Sequence, residues 1–507
     1  MTVDATVRRV PSRRTVVAGV VAAFGAAAAT YLAVKRAGEN KAKERSSPLT
    51  STSRAARTAD VARLGTKAGS AYAVNRARRA FASAERRDEL DAELQLRTAE
   101  QVAEALGHMK GALMKVGQMA SYLDQGLPEP IREQLAQLQA DAPPMAAELA
   151  AEVVARELGA PPEEIFDTWD PVPFAAASIG QVHRAITKDG RAVAVKVQYP
   201  GVDDAINADL ANAGMLVQII SMVFPGVEPE PIVDELKLRL REELDYVLEA
   251  KNQRLFAEYY RVHPFISIPP VIDELSSQRV LTTELADGAR FDELLTWSQI
   301  EKDLAAETIY RFVFGSLYRL GAFNGDPHPG NYLFNPGGRV TFLDFGLVKH
   351  FTPDELTLLA NMSETFALEK DMTKFRRAIS ESGFLRDPSK FTDDQIKSYM
   401  QHFWEFVMED EEFTTTPEWS SESVRRFFDP TGGYGDIMRA VNVPASFVIL
   451  QRINLGLGGV LGELRATRNW RRIAMEQWPF VNGPPSTLLG QEEADWLAAQ
   501  STAAAQT

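Results

Sequence analysis

The stretch from Phe323 to Gly346, FNGDPHPGNYLFNPGGRVTFLDFG, constrains the fold and the chemistry of this 507-residue chain more than any other segment. Asp326 is followed by Asn331 five positions later and by Asp344 eighteen positions later, with a strand pattern between them. A phosphoryl-transfer site contains a carboxylate that orients the attacking hydroxyl. It also contains an amide and a second carboxylate that bind magnesium. The spacing predicts such a site if other segments supply the remaining contacts to a nucleotide.

A small-residue turn and a strand lysine upstream supply two more features of a nucleotide site. The turn Ala175-Ala176-Ala177-Ser178 precedes a strand pattern. Such turns let backbone N–H groups approach phosphates, although alanine-rich turns are also common packing material. Lys196 stands near the end of an apolar strand. A buried ammonium needs an anionic partner, whereas a lysine at a strand end can also extend into solvent.

The acidic segment that begins at Glu243 offers an anionic partner for that lysine. Asp245, Glu249 and Asn252 follow at helical spacing, and we expect one continuous helix over residues 232–259 that places them on a single stripe. Like charges on one stripe repel unless cations face them, so the alternatives are a solvated acidic face and a face that meets the lysine. Together with the downstream aspartates and asparagine, these features predict a kinase-like nucleotide site rather than a chance Asp-Phe-Gly.

Composition and charge exclude several other classes of protein. The chain has no cysteine, which excludes disulfides, thiolate nucleophiles and cysteine zinc sites. Its formal net charge of −14 is uneven, because residues 1–87 carry 18 Lys and Arg against 5 Asp and Glu. A basic arm on an acidic body fits an anionic surface such as a membrane, and the acidic body argues against nucleic acid as the main partner.

The N-terminal arm contains an uncharged run of 20 residues, Thr15–Val34, between basic flanks. Its length suits a membrane span, and the alternatives are a helix lying on the membrane, a signal peptide or an ordinary buried helix. The segment Ser12–Thr15 also resembles a twin-arginine export signal. We discount export, because the predicted phosphoryl-transfer site needs ATP and an exported protein would meet little of it. We therefore expect a cytoplasmic protein associated with the cytoplasmic membrane through its N-terminal segment.

The hydrophobic pattern predicts an α+β fold with six segments. A helical preface comes first, strands joined by a turn at residues 188–190 come next, and a large helical region follows. The predicted segments are a membrane-associating segment (1–36), a basic linker (37–87), a helical extension (88–165), a small sheet lobe (166–285), a large helical lobe (286–480) and a disordered tail (481–507).

The sequence resembles the UbiB family of atypical kinase-like proteins, also called the AarF or ADCK family, over about residues 90–478. The resemblance rests on Lys115-Val116-Gly117-Gln118 (the KxGQ motif), the alanine-rich turn, Glu243-Leu244-Asp245 (the ExD motif) and the segment from Asp326 to Asn331. The resemblance implies a protein-kinase-like two-lobe fold, with residues 88–165 as a KxGQ extension that lies over the site.

The same resemblance implies roles for individual residues. Lys196 would contact phosphates and pair with Glu249, Asp326 would be the catalytic-loop aspartate, and Asn331 and Asp344 would bind Mg²⁺. The turn at Ala175–Ser178 would cover the nucleotide, and Glu284 and Leu285 would meet adenine. The regulatory residues would be Lys115 and Gln118 of the extension, with Lys115 paired to Glu243 or Asp245.

Only about five residues separate Gly346 from a helix that Thr352 and Pro353 are suited to begin. A protein kinase uses a longer segment there to seat its peptide. We therefore expect an ATPase or a small-molecule or lipid kinase that uses ATP and Mg²⁺, gated by the extension and by a membrane or lipid. The resemblance implies a role in isoprenoid quinone or lipid metabolism, with proteins of those pathways as partners. The alternatives are a protein kinase acting in trans and a nucleotide-switched pseudokinase scaffold.

Overall fold

The computed structural model describes residues 146–177, 179–203, 234, 237–238, 241–385, 387–428, 435–440 and 445–504. These residues all belong to one compact unit, Pro143–Ile206 with Gly226–Thr507. The predicted N-terminal segment, the basic linker and the helices predicted before residue 146 lie outside the described residues. Within them, no helix has the length and apolar character needed to cross a membrane.

The first part of the described chain is an antiparallel sheet of five strands. Strand β3 pairs with β1, β2 and β4, and β4 pairs with β6. The hairpin between β3 and β4 turns at residues 188–190, as predicted, and Gly190 adopts a φ of 87° that favours glycine. The strands are β1 Phe166–Trp169, β2 Ala175–Ala177, β3 Gly180–Thr187, β4 Ala192–Gln198 and β6 Val280–Glu284.

One face of this sheet forms a small hydrophobic core with helix α1, Ala147–Leu158. Alternation along β4 buries Val193, Val195 and Val197, and α1 covers them with Val153 and Val154. A second short helix, α2 Pro162–Ile165, leads from α1 into β1. Because alternate residues of a strand point to opposite faces, Lys196 lies on the face of β4 that this core does not occupy.

Helix α3, Tyr246–Tyr259, begins later than the sequence predicted. The expectation of one continuous helix over residues 232–259 is wrong, because the chain turns at Leu244 and Asp245. The Asp245 carboxylate accepts hydrogen bonds from the backbone N–H groups of Val247 and Leu248 at 3.0 and 3.1 Å, which makes it the N-cap. Asp245 therefore does not share a helical stripe with the buried Glu249 and Asn252.

The remaining helices form a larger body with its own hydrophobic core. Its central helix is α5, and the ring of Phe312 on this helix stacks on Phe342 with centroids 3.6 Å apart. The helices are α4 Phe291–Leu294, α5 Gln299–Gly315, α6 Pro353–Ser363, α7 Met372–Glu381, α8 Asp393–Met400, α9 Pro417–Phe428, α10 Gly435–Ala440, α11 Ala445–Leu464, α12 Trp470–Gln477 and α13 Leu488–Ala504.

Short strands connect these helices. A three-stranded sheet has the order β5-β9-β8, and two pairs join β7 with β10 and β11 with β12. The strands are β5 Ile266–Ser267, β7 Ala322–Asn324, β8 Tyr332–Asn335, β9 Arg339–Phe342, β10 Val348–His350, β11 Phe413–Thr414 and β12 Thr467–Arg468. The stretch from Phe323 to Gly346 thus forms most of β7, a loop, the β8–β9 hairpin and the turn after it.

Helix α6 begins as predicted, with Thr352 as its N-cap and Pro353 at its first position. The Thr352 hydroxyl accepts from the Glu355 N–H at 3.3 Å, and the Glu355 carboxylate accepts from the Thr352 N–H at 2.8 Å. This capping box satisfies two N–H groups that the helix itself leaves unpaired.

The prediction of a disordered tail over residues 481–507 is wrong for Leu488–Ala504, which form α13. Glu493 of this helix is buried and accepts from the guanidinium groups of Arg311 at 2.8 Å and Arg319 at 2.9 Å. Trp496 stacks over Tyr260 with ring centroids 6.1 Å apart. The helix is ordered because a buried ion pair and an aromatic anchor fix it to the body.

His263, just after α3, gives the fold a specific pH dependence. Its Nδ1 accepts from the backbone N–H groups of Phe265 and Ile266 at 3.4 and 3.1 Å, and its ring packs 4.4 Å from that of Trp496. Burial lowers the pKa of the imidazole to about 4. The unfolded chain takes up this proton near pH 6.5 and the folded chain does not, so the stability falls as the pH drops from about 6.5 to 4.

We expect His263→Asn to flatten this part of the stability profile, because the amide oxygen can accept the same hydrogen bonds and does not titrate. The measurement is the urea midpoint of both proteins at several pH values between 7 and 4. Carboxylates titrate in the same range, so the difference between the two profiles is the informative quantity. Parallel profiles would show that His263 is protonated equally in both states.

Candidate active site

Three of the residues predicted for the site meet at one point. The Lys196 ammonium on β4 donates to both carboxylate oxygens of Glu249 on α3, at 2.8 and 2.9 Å. It also lies 3.5 Å from Oδ2 of Asp344, which follows β9. Glu249 is buried, and the side chains of Lys196 and Asp344 are 17% and 27% exposed. The lysine therefore has a buried partner on one side and a partly open carboxylate on the other.

The electrostatics of this group are set by one ammonium and two carboxylates. Burial lowers the pKa of the Lys196 ammonium, but the Asp344 and Glu249 carboxylates outweigh it and hold this pKa well above its usual range. Burial raises the pKa of Glu249 to about 7, although Lys196 acts in the opposite direction. One cation facing two carboxylates in a partly desolvated place favours the arrival of further positive charge.

Asp326 and Asn331 form a second group on the loop after β7. The Asn331 side-chain amide donates to Oδ2 of Asp326 at 3.0 Å and to its backbone oxygen at 3.3 Å. His328 stabilises the loop between them, since its Nδ1 accepts from the Gly330 N–H at 3.0 Å. The loop thus fixes a carboxylate and an amide side by side, as their spacing of five suggested.

Asn324 connects the two groups, and sequence reasoning missed it. Its side-chain amide donates to the backbone oxygen of Asp344 at 2.7 Å, and its oxygen accepts from the Asp326 N–H at 3.2 Å. Pairing of β7 with β10 fixes its position opposite Val348. A polar residue that ends an apolar strand two positions before Asp326 was the signal that could have revealed it.

Helix α3 also holds the turn that carries Asp344. The Asn252 side chain donates to the backbone oxygen of Phe345 at 3.2 Å, and the Phe345 ring packs 4.9 Å from that of Phe256. Within the turn, the Gly346 N–H donates to Oδ1 of Asp344 at 2.9 Å. Asn252 is 4% exposed, so it positions this turn and does not belong to a solvated acidic face.

The alanine-rich segment differs from the predicted turn. Ala175, Ala176 and Ala177 form strand β2 paired with β3, because their backbone groups bond to the neighbouring strand. Ser178 lies outside the described residues. Gly180, which follows, has no space for a side chain, since a Cβ there would lie 2.3 Å from the Val197 carbonyl oxygen.

The other predicted site residues lie at the end of the sheet and at the start of α3. Glu284 ends β6, and the Leu285 N–H donates to the Ala192 carbonyl oxygen at 2.9 Å, so both lie where the β4–β6 pair ends. Glu243 is 7% exposed, and the Asp245 carboxylate caps α3. Lys115 and Gln118 lie outside the described residues, so their pairing with Glu243 or Asp245 stays a prediction.

The donor set fits a magnesium–nucleotide complex. Carboxylate and amide oxygens are ligands that Mg²⁺ accepts, and it usually keeps waters and phosphate oxygens as its other ligands. Among the described residues, no group of three or more His, Asp and Glu side chains could hold a metal by itself. Asp344 is partly open, and Asn331 lies on the neighbouring loop beside Asp326.

These features together define a kinase-like protein: an antiparallel sheet with a Lys–Glu pair, an Asp-Phe-Gly turn, and a loop that carries Asp and Asn. The ABC1 atypical kinase-like domain matches residues 137–379. The chain belongs to this family, also known as UbiB, AarF or ADCK.

Named relatives and one solved structure support this assignment. The chain is 34% identical over 285 residues to Protein ACTIVITY OF BC1 COMPLEX KINASE 8, chloroplastic, of Arabidopsis thaliana, covering 54% of this chain and 37% of that protein. It is 32% identical to atypical kinase coq-8, mitochondrial, of Caenorhabditis elegans, covering 60% and 41%. The chain thus spans less than half of these relatives' lengths.

The solved structure is that of Rv3197 with erythromycin from Mycobacterium tuberculosis. It is 32% identical, has a TM-score of 0.56, and the match covers 78% of this chain and all of that one. The likeness therefore extends to the whole of that solved chain.

Proposed function

We propose that this protein binds Mg-ATP at the group around Lys196 and transfers or hydrolyses its terminal phosphate. The observation that carries the proposal is the Lys196 ammonium held at 2.8 Å by Glu249 and at 3.5 Å by Asp344. A lysine fixed in this way contacts phosphates in kinases, and an excess of carboxylates beside it suits a divalent metal. The sheet with α3 and the larger helical body would form the two lobes around the nucleotide.

Each residue has a role in this proposal. Lys196 would bind phosphate oxygens, and Asn331 and Asp344 would hold Mg²⁺, whose charge would offset that of the phosphates. Asp326 would orient the attacking hydroxyl or water. The segment Ala175–Ser178 would cover the phosphates, and Glu284 with Leu285 would meet adenine.

The short connection after Asp344 favours an acceptor smaller than a protein. From Gly346 the chain enters β10 at Val348 and reaches α6 at Pro353, so this connection leaves no room for a peptide-seating segment. We therefore propose an ATPase or a small-molecule or lipid kinase. A protein kinase acting in trans and a nucleotide-switched pseudokinase scaffold are the alternatives.

Gating and location belong to the same proposal. The part of residues 88–165 that precedes α1 would form the KxGQ extension over the site, with Lys115 and Gln118 meeting Glu243 or Asp245, whereas α1 itself packs on the opposite face of the sheet. The basic arm and residues 15–34 would bring the protein to an anionic membrane, since Lys and Arg near such a surface each contribute about 1 kcal/mol of attraction. There the protein would support isoprenoid quinone or lipid metabolism, as its family membership suggests.

The test is phosphate release from Mg-ATP by the full-length chain, with anionic vesicles, with neutral phosphatidylcholine vesicles and without vesicles. We expect hydrolysis that rises with anionic vesicles only and disappears in Asp344→Asn. Nucleotide binding without phosphate release under any condition would favour the scaffold. Absence of Mg-ATP binding would overturn the proposal.

A further inference from the structure

Tyr246, the first residue of α3, is a buried tyrosine beside the candidate site. The Lys196 ammonium lies 5.1 Å from the centre of its ring, a distance at which a cation is attracted to the ring face. Its hydroxyl lies beside Gly180, since a Cβ at that position would lie 2.9 Å from the hydroxyl oxygen. The side chain therefore touches the lysine and the start of β3 at once.

The Tyr246 hydroxyl has no hydrogen-bond partner among the described residues, although the residue is 0% exposed. Most buried polar groups are paired, because burial removes their bonds to water. Phenylalanine would fill the same space without that cost. Burial raises the pKa of the hydroxyl, so it is protonated at neutral pH and able to donate.

Tyr260, at the other end of α3, is a useful comparison. It is also buried, but its hydroxyl lies 2.8 Å from that of Ser316. The two tyrosines lie at opposite ends of the same helix. Of these two, the Tyr246 hydroxyl is the one without a hydrogen-bond partner among the described residues.

The neighbours of Tyr246 indicate what would satisfy its hydroxyl. Gly180 begins β3, close in the chain to the alanine-rich strand β2. Lys196 is the residue proposed to bind phosphates. Glu249, one turn along the helix, accepts from that lysine with both carboxylate oxygens, and no hydrogen bond joins it to the tyrosine hydroxyl. A phosphate oxygen, or a water held by one, offers the acceptor that the described structure lacks.

We propose that Tyr246 is a positioning residue for the nucleotide: its ring fixes the Lys196 ammonium, and its hydroxyl donates to the phosphate end of bound Mg-nucleotide, directly or through a water. This inference rests on the proposed Mg-ATP binding.

The test is Tyr246→Phe in the full-length chain, with Tyr260→Phe as the matched control. Dissociation constants are measured for Mg-ATP, Mg-ADP and adenosine, and thermal midpoints without nucleotide. We expect Tyr246→Phe to weaken Mg-ATP and Mg-ADP about tenfold, to leave adenosine unchanged and to keep or raise the midpoint. Tyr260→Phe should lower the midpoint and leave all three dissociation constants unchanged.

Equal Mg-ATP affinity of Tyr246→Phe and wild type would overturn the inference, and so would a loss of affinity that adenosine shares. Failure of the proposed function is distinguishable, because in that case wild type itself does not bind Mg-ATP.

Discussion

Replacing Asp326 with asparagine is expected to lower the rate of phosphate release from Mg-ATP by about 100-fold or more and to leave the affinity for Mg-ATP within about threefold. The carboxylate accepts from the Asn331 amide at 3.0 Å, and an asparagine oxygen can keep that bond. What the variant loses is a negatively charged oxygen to orient a hydroxyl or water. The effect should therefore fall on turnover and not on binding.

Asp344→Asn is the matched comparison, because it removes charge from the proposed metal ligand on the other loop. We expect it to weaken Mg-ATP binding and abolish turnover, whereas affinity for nucleotide without metal should change little. Turnover is followed as phosphate release, and binding is followed by calorimetry with and without Mg²⁺.

The pair of variants also separates an enzyme from a scaffold. If the protein acts only as a nucleotide-switched scaffold, Asp326→Asn keeps the cellular function that the wild type supports, since the nucleotide still binds. An unchanged rate of phosphate release in Asp326→Asn would contradict the role proposed for this residue.

The parts of the fold that sequence reasoning predicted correctly depend on local signals. The β3–β4 hairpin follows from alternating residues and a glycine turn, and the start of α6 follows from Thr352 and Pro353. Pairing of Lys196 with Glu249 follows from the cost of a buried, unpaired ammonium, together with the family resemblance.

Other features depend on choices that a sequence leaves open. Asp245 could lie within a helix or cap one. It is a cap, because its carboxylate accepts from the backbone N–H groups of Val247 and Leu248. Ala175–Ala177 could form a turn, but pairing with β3 made them a strand, because tertiary hydrogen bonds override a weak local preference. Both outcomes depend on which hydrogen bonds the folded backbone makes, and the residue pattern alone does not show this.

The ordered C-terminal helix shows the same limit most clearly. Arg311 and Glu493 are 182 positions apart, and Arg468 reaches Glu307 across 161 positions. Sequence spacing does not predict contacts between residues so far apart. An alanine-rich C-terminal segment with scattered charges therefore led to the prediction of a disordered tail. Trp496 was the local sign that the segment could be anchored.

Replacing Arg311 with leucine is expected to destabilise the protein by about 3 kcal/mol or more. Its guanidinium is 0% exposed and lies 2.8–2.9 Å from the carboxylates of Glu307, Glu476 and Glu493. Arg319 and Arg468 still pair with Glu493 and Glu307 in the variant, but the cluster would keep an uncompensated buried negative charge. Removal of one partner from a buried cluster costs far more than the cluster contributes as a whole.

Arg472 provides the matched control, because it forms a surface pair with Asp410 in which both side chains are more than half exposed. Arg472→Leu should leave the urea midpoint close to that of wild type, since exposed pairs are screened by solvent. Equal midpoints for Arg311→Leu and wild type would show that the desolvation of the cluster cancels its attraction. A large loss would identify this cluster as the anchor of α5, the helix from which the chain runs through β7 to Asn324 and Asp326.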